Sequence, residues 1–152
     1  MHYTCRKLSS PDLQQLKDLR LVYAEAFEDH PKFTENPPSD TYLQEQLQDS
    51  RILHLVAETE DGVVAGGLTA YILPKIEAEV AEVYLYDLAV LEAYRTNGMA
   101  TSLIHLLQQL AKEAGAKVIF VQADTVDTPA MALYQRFCEH PETEIAHFDI
   151  PV

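Results

Sequence analysis

Three consecutive segments constrain the fold of this chain more than any others. Val80–Val90 (VAEVYLYDLAV) is long, β-branched and aromatic, and reads as a central strand. Gly98 to about Ala114 follows with Leu103, Ile104, Leu106, Leu107 and Leu110 at helical spacing, and Gly115 supplies a helix stop. Lys117–Ala123 (KVIFVQA) is then a nearly continuous apolar run, the pattern of a strand buried on both faces. Strand, helix and strand in that order, within 152 residues, predict one mixed α/β domain over residues 1–152.

The other elements are read around this centre. Thr4–Leu8 is a strand candidate, and Ser10 followed by Pro11 offers a helix start that runs to about Phe27. Glu28–Pro38, with Pro31, Pro37 and Pro38, reads as a loop, and a second helix spans Ser39 to about Asp49. Ile52–Glu58, an Asp61-Gly62 turn and Val63–Leu73 make a hairpin. Pro129 opens a last helix to about Phe137, and Glu144–Ile150 is expected to form a final strand on which His147 and Asp149 share a face. His30, His54, His105 and His140 fall in no pattern.

Charge narrows the function classes. Eleven basic against 24 acidic residues give a net charge of −13. Such a field repels phosphate backbones and anionic lipid, so neither nucleic acid nor a membrane is an expected partner, whereas a cationic small molecule is attracted. Between Glu25 and Asp61 there are ten acids and only two bases, Lys32 and Arg51. Cys5 and Cys138 cannot staple a fold of this size, and no Cys/His spacing suggests a metal. With no apolar run of ~18 residues and no signal-peptide core, a reducing cytoplasmic compartment is expected.

Between the central strand and the helix lies Arg95-Thr96-Asn97-Gly98-Met99-Ala100. A helix start leaves backbone N–H groups unpaired beside a partial positive charge, which together favour an anion. Small residues at Gly98 and Ala100 let a phosphate approach the backbone, and Arg95 adds a cation. This hexapeptide fits the Q/R-x-x-G-x-G/A acetyl-coenzyme A signature, and Ala130–Tyr134 (AMALY) fits an A-x-x-L-Y segment on the last helix. On these motifs the whole chain resembles the GNAT superfamily of N-acetyltransferases, which implies a central mixed sheet with splayed fourth and fifth strands. Val63–Pro74, Tyr84–Val90, Val121–Asp124, His147–Ile150 and the spacing from Phe27 to Leu43 further resemble aminoglycoside 3-N-acetyltransferases of type I. One departure stands out: where the family follows the last-helix tyrosine with a Gly-Phe pair, this chain has Phe137-Cys138.

The resemblance implies acetyl transfer from acetyl-CoA to an aminoglycoside amine, an activity that confers antibiotic resistance. It places the N–H of Leu88 at the thioester oxygen, Ala89 and Val90 along the pantetheine arm, and Arg95, Thr96, Asn97, Gly98, Met99, Ala100 and Thr101 around the pyrophosphate. It makes Tyr134 the general acid at the sulfur and Asp127 a polar neighbour of the cofactor or a helix cap. Asp124, just past an apolar strand, is a candidate base or amine anchor, or an N-terminal cap. Tyr84 stands where some members carry a glutamate base. An acceptor with several ammonium groups calls for carboxylates, and Glu28, Asp29 and Asp149 are the candidates beside Asp124. Two rivals keep the fold: acetylation of a polyamine or other cationic metabolite, and a non-catalytic acyl-CoA-binding domain. Dimers are common in the superfamily, which leaves a homodimer open.

Overall fold

A computed structural model describes residues 1–152. In chain order it contains β1 (Tyr3–Lys7), α1 (Leu13–Ala26), α2 (His30–Thr34), α3 (Asp40–Gln48), β2 (Ile52–Thr59), β3 (Val64–Pro74), β4 (Ala81–Val90), a 3-10 turn (Glu92–Tyr94), α4 (Met99–Glu113), β5 (Ala116–Val121) and α5 (Thr128–Gln135). The chain divides into two compact units, residues 1–121 and 122–152. No helix is long and apolar enough to cross a membrane.

The first unit is built on a five-stranded sheet in the order β1-β2-β3-β4-β5, in which the first four strands are antiparallel neighbours and β4 and β5 run parallel. β3 is buried at every position from Val64 to Ala70, so helices cover both faces of the sheet. On one face α1 presses directly on the backbone of β3. A Cβ at Gly67 would lie 2.5 Å from Leu19 Cδ1 and 2.5 Å from the Leu55 carbonyl oxygen, so only glycine lets helix and sheet approach this far. Leu8, Leu16, Leu19, Val22, Tyr23, Leu43, Val56, Val64 and Ala89 form the core there. On α4, Met99, Leu103, Ile104, Leu107 and Ala111 recur at helical spacing and are buried.

Four expectations change. α1 begins at Leu13 rather than behind Ser10, because Asp12 closes a turn with Ser9, accepting from its N–H at 2.8 Å, and pairs with Arg6 at 3.0 Å. The segment read as a loop from Glu28 contains α2: Pro31 sits in its first turn, where the missing N–H costs nothing, and Asp29 accepts from the Lys32 N–H. β5 is not buried on both faces. It is the last strand in the sheet order, and Val118 is 47% exposed. Glu144–Ile150 forms no strand: an alternating pattern becomes one only where a neighbour supplies a ladder, and Ile145, Phe148 and Ile150 are exposed. His147 Nε2 and Asp149 Oδ1 still meet, at 3.0 Å, without a strand to align them.

The second unit contains α5. Asp127 caps it by accepting from the Ala130 N–H at 3.1 Å, Pro129 lies in its first turn, and the chain leaves the helix through Phe137 and Cys138 N–H groups bonded to the Tyr134 carbonyl.

Candidate functional site

β4 is paired unequally on its two sides. Along β3 its register is continuous to Val90, with Leu88 opposite Leu68, Ala89 opposite Gly67 and Val90 opposite Gly66. Along β5 pairing ends at Leu85 opposite Val121. From Tyr86 to Val90 the backbone therefore has a strand neighbour on one side only. This is the splaying of the fourth and fifth strands expected from the sequence, and it leaves Leu88, Ala89 and Val90 at an open edge.

The turn that follows is held by its own polar groups. Leu91 N–H bonds the Ala65 carbonyl at 2.9 Å, anchoring the exit from β4. Arg95 Nε donates to the Val90 carbonyl at 3.1 Å, and Asn97 Nδ2 donates to the Tyr94 and Arg95 carbonyls at 3.0 and 3.1 Å. Thr96 and Gly98 both lie in the left-handed region, at φ 66° and 79°. Gly98 is the N-cap of α4 and contributes no side chain, so the amides opening the helix face outward. From β1, Tyr3 Oη donates to the Asn97 carbonyl at 3.3 Å and meets Ser102 Oγ at 2.9 Å. Arg95, Thr96, Asn97, Gly98, Met99, Ala100 and Thr101 are thus brought together as one turn and helix start. Its small residues, exposed guanidinium and outward amides fit a pyrophosphate.

Next to the open edge the strand carries a bulge. Thr69 opposes Asp87 while Ala70 opposes Leu85, so Tyr86 is an extra residue on β4. In an unbroken strand Asp87 would point with Val83 and Leu85 into the apolar layer on the far side. The bulge instead turns it to the α1 face, beside Thr69. Three tyrosines join it there. The rings of Tyr71 and Tyr86 meet edge to face at 5.8 Å, Tyr84 and Tyr86 meet at 5.3 Å, and Tyr84 stacks on Phe120 at 4.6 Å. Burial raises the Asp87 carboxyl above the usual carboxylate range, partly offset by the Lys32 cation. Burial likewise raises the Tyr71 and Tyr84 phenols, and the nearby Asp87 charge adds to both. Sequence reasoning missed Asp87, because neither periodicity nor a motif marks a bulge.

Behind Asp87 runs a buried hydrogen-bond chain. Tyr23 Oη meets Thr69 Oγ1 at 2.9 Å, Thr69 Oγ1 meets His54 Nδ1 at 2.9 Å, and His54 Nε2 meets Gln46 Oε1 at 3.0 Å. The amide oxygen only accepts, so the network assigns the imidazole proton to Nε2. Nδ1 then accepts from Thr69, and Thr69 accepts from Tyr23. Burial lowers the His54 pKa to about 4, so the ring is neutral. His54, which fell in no sequence pattern, joins β2, β3, α1 and α3.

The remaining candidates are placed as follows. Glu28 lies past the end of α1 in a left-handed conformation, φ 53°, with its side chain exposed, and Asp29 caps α2. In the second unit Asp124 is exposed and its carbonyl accepts from Asp127 N–H at 2.9 Å. Asp127 caps α5, Tyr134 is half-buried on that helix, and Asp149 pairs with His147.

The sequence profile of the Acetyltransferase (GNAT) family matches residues 16–139. The fold matches the crystal structure of an aminoglycoside acetyltransferase from an uncultured soil metagenomic sample, with a TM-score of 0.93 and 42% identity over 100% of this chain and 99% of that one. A second aminoglycoside acetyltransferase from such a sample, solved in complex with sisomicin, matches with a TM-score of 0.89 and 29% identity over 99% of this chain and 96% of that one. A curated N-alpha-acetyltransferase of Saccharolobus solfataricus is 27% identical over 106 residues, 62% of this chain and 60% of that protein's length.

Proposed function

This chain belongs to the GNAT family of acetyltransferases, and from that premise we propose that it acetylates the 3-amino group of an aminoglycoside antibiotic in the cytoplasm. The observation that carries the reading is the full-length match, at 42% identity, to an aminoglycoside acetyltransferase. The open edge of β4, which runs straight into the anion-binding turn, supports it.

Acetyl-CoA supplies the acetyl group as a thioester, and the chain's own residues bind, orient and exchange protons. The turn from Arg95 to Thr101 holds the pyrophosphate through amides and a guanidinium. The free edge at Ala89 and Val90 offers main-chain partners to the amides of the pantetheine arm. Leu88 N–H stabilises the oxygen on which negative charge develops, and Tyr134 delivers a proton to the departing sulfur. Asp127 is assigned a place near the cofactor, and Asp124, Glu28, Asp29 and Asp149 are assigned to the acceptor's ammonium groups.

A net charge of −13 suits any polycation, so a polyamine acceptor is the second reading. Initial rates of thiol release with gentamicin, kanamycin and spermidine separate the two, and NMR of the product reads the regiochemistry. Acetylation of kanamycin at its 3-amino group is the expected result. A preference for spermidine overturns the drug assignment, and coenzyme A binding without turnover on any amine leaves a binding domain.

A further inference from the structure

We propose that Tyr3, on the edge strand β1, is a positioning residue for the cofactor: its hydroxyl fixes the Asn97–Gly98 peptide so that the Gly98 N–H faces the diphosphate. The proposal rests on the reading of Arg95–Thr101 as the coenzyme A turn and adds to it the group that holds this turn in its binding form.

The need for such a group comes from the backbone. Thr96 and Gly98 both have positive φ, at 66° and 79°. A β-branched residue rarely takes that conformation, and a glycine takes either sign of φ with similar ease. The peptide between Asn97 and Gly98 therefore has two orientations within reach, related by the plane rotation that separates paired classes of tight turn. In one its N–H faces outward, and in the other its carbonyl oxygen does. Only the first suits an anion, since an outward carbonyl presents its negative end to the phosphates.

Tyr3 selects the first. Its Oη lies 3.3 Å from the Asn97 carbonyl oxygen and 2.9 Å from Ser102 Oγ. A carbonyl only accepts and a phenol has one proton, so Tyr3 donates to Asn97 while Ser102 donates to Tyr3. The peptide is planar and trans, so a carbonyl turned toward β1 sends the Gly98 N–H the opposite way, to the exposed side. Ser102 stands in the opening of α4, so the same hydroxyl also ties the turn to the helix whose Met99, Ala100 and Thr101 amides begin it.

The bonds within the turn are local: Arg95 Nε to Val90, Asn97 Nδ2 to Tyr94 and Arg95, and Thr96 Oγ1 to Arg95. Such bonds travel with the turn when it shifts. Tyr3 is 94 positions from Asn97 and belongs to a strand laddered to β2 from Tyr3 to Lys7, so it refers the turn to the sheet. Gly98 leaves the approach open, for Tyr3 Oη at 3.6 Å is the nearest atom to a Cβ built there.

The test compares wild type, Tyr3→Phe, Ser102→Ala and the variant carrying both. Coenzyme A binding is read by calorimetry, and binding of pantetheine, which lacks the diphosphate, by NMR titration. Phenylalanine keeps the ring and removes only the hydroxyl. The bond to Asn97 is longer than a typical hydroxyl–carbonyl bond, so Tyr3→Phe is expected to weaken coenzyme A binding about three- to fivefold, with pantetheine binding unchanged. With kanamycin, the KM for acetyl-CoA rises by the same factor while kcat stays. Ser102→Ala weakens coenzyme A binding less and adds nothing in the Tyr3→Phe background, because the two hydroxyls act as one unit. It decides on the same readouts if Tyr3→Phe does not fold. A folded Tyr3→Phe protein with wild-type coenzyme A affinity overturns the proposal. So does an equal loss of coenzyme A and pantetheine binding, the mark of a general disturbance, and so do losses that add in the variant carrying both changes. A wild type that binds no coenzyme A overturns the reading of the turn and the proposal with it. One that binds coenzyme A and acetylates no amine counts against acetyl transfer alone, and the binding comparison still decides the role of Tyr3.

Discussion

At position 54 an imidazole is buried where a charge cannot be solvated. Its pKa is about 4 in the folded chain against 6.5 when free, so between these values the unfolded chain binds a proton that the folded chain refuses. Folding stability is then complete above about pH 6.5 and declines as pH falls through this window, by up to about 3 kcal/mol near pH 4. Denaturant melts at pH 7 and pH 4.5 should show a smaller decline for His54→Gln, whose amide can still bond Thr69, than for wild type. Equal declines in the two proteins would clear His54 of the effect. A second prediction concerns Gly98, at φ 79°, where the nearest atom to a built Cβ is Tyr3 Oη at 3.6 Å. Space is available, but the backbone penalises a β-branched residue, so Gly98→Val loses stability as well as cofactor binding. Gly98→Asn, which tolerates this conformation, should keep the fold and weaken coenzyme A binding about tenfold, measured by calorimetry.

Among the elements, the contact of α1 with β3 has the least slack. Gly67→Ala sets a methyl against the Leu55 carbonyl oxygen, and backbone cannot step aside as the Leu19 side chain can by rotating. A loss of about 1–3 kcal/mol in chemical denaturation is expected, with kanamycin turnover falling too because α1 and the bulged part of β4 share this face. The same layer shows what was legible beforehand. The strand pair, the hairpin at Gly62 and α4 announce themselves through periodicity and turn glycines, and the turn from Arg95 to Ala100 through residue type at fixed spacing. Asp87 and His54 do not, because their surroundings come from cross-strand register and from helices distant in sequence. α2 was hidden by Pro31, which breaks a helix in its interior and favours one in its first turn. The pattern at His147–Ile150 promised a strand, but alternation encodes a face and not the neighbour that a ladder requires.

Across the whole molecule, 24 acids against 11 bases produce a field that attracts the proposed cationic acceptor and repels anionic acetyl-CoA. Raising ionic strength from about 0.05 to 0.5 M should raise the kanamycin KM several-fold, since it screens attraction over most of the distance at which a polycation is drawn in. The KM for acetyl-CoA should move much less, because the repulsive field and the local attraction of Arg95 and the helix amides are screened together. Glu60→Gln should leave both constants unchanged. Glu58 is no such control, for it holds Arg6 at 3.0 Å. If Glu60→Gln shifts the kanamycin KM as strongly as salt does, attraction is spread over the surface and not focused on a pocket. The one-sided pairing of β4 also has a consequence for the empty protein as an object in solution. Amides along Tyr86–Val90 that face the unpaired side should exchange with deuterium quickly, and slow sharply once coenzyme A is added. An uncovered backbone edge is also an invitation to other chains, so a preparation stripped of its nucleotide should precipitate on warming sooner than one kept saturated with it.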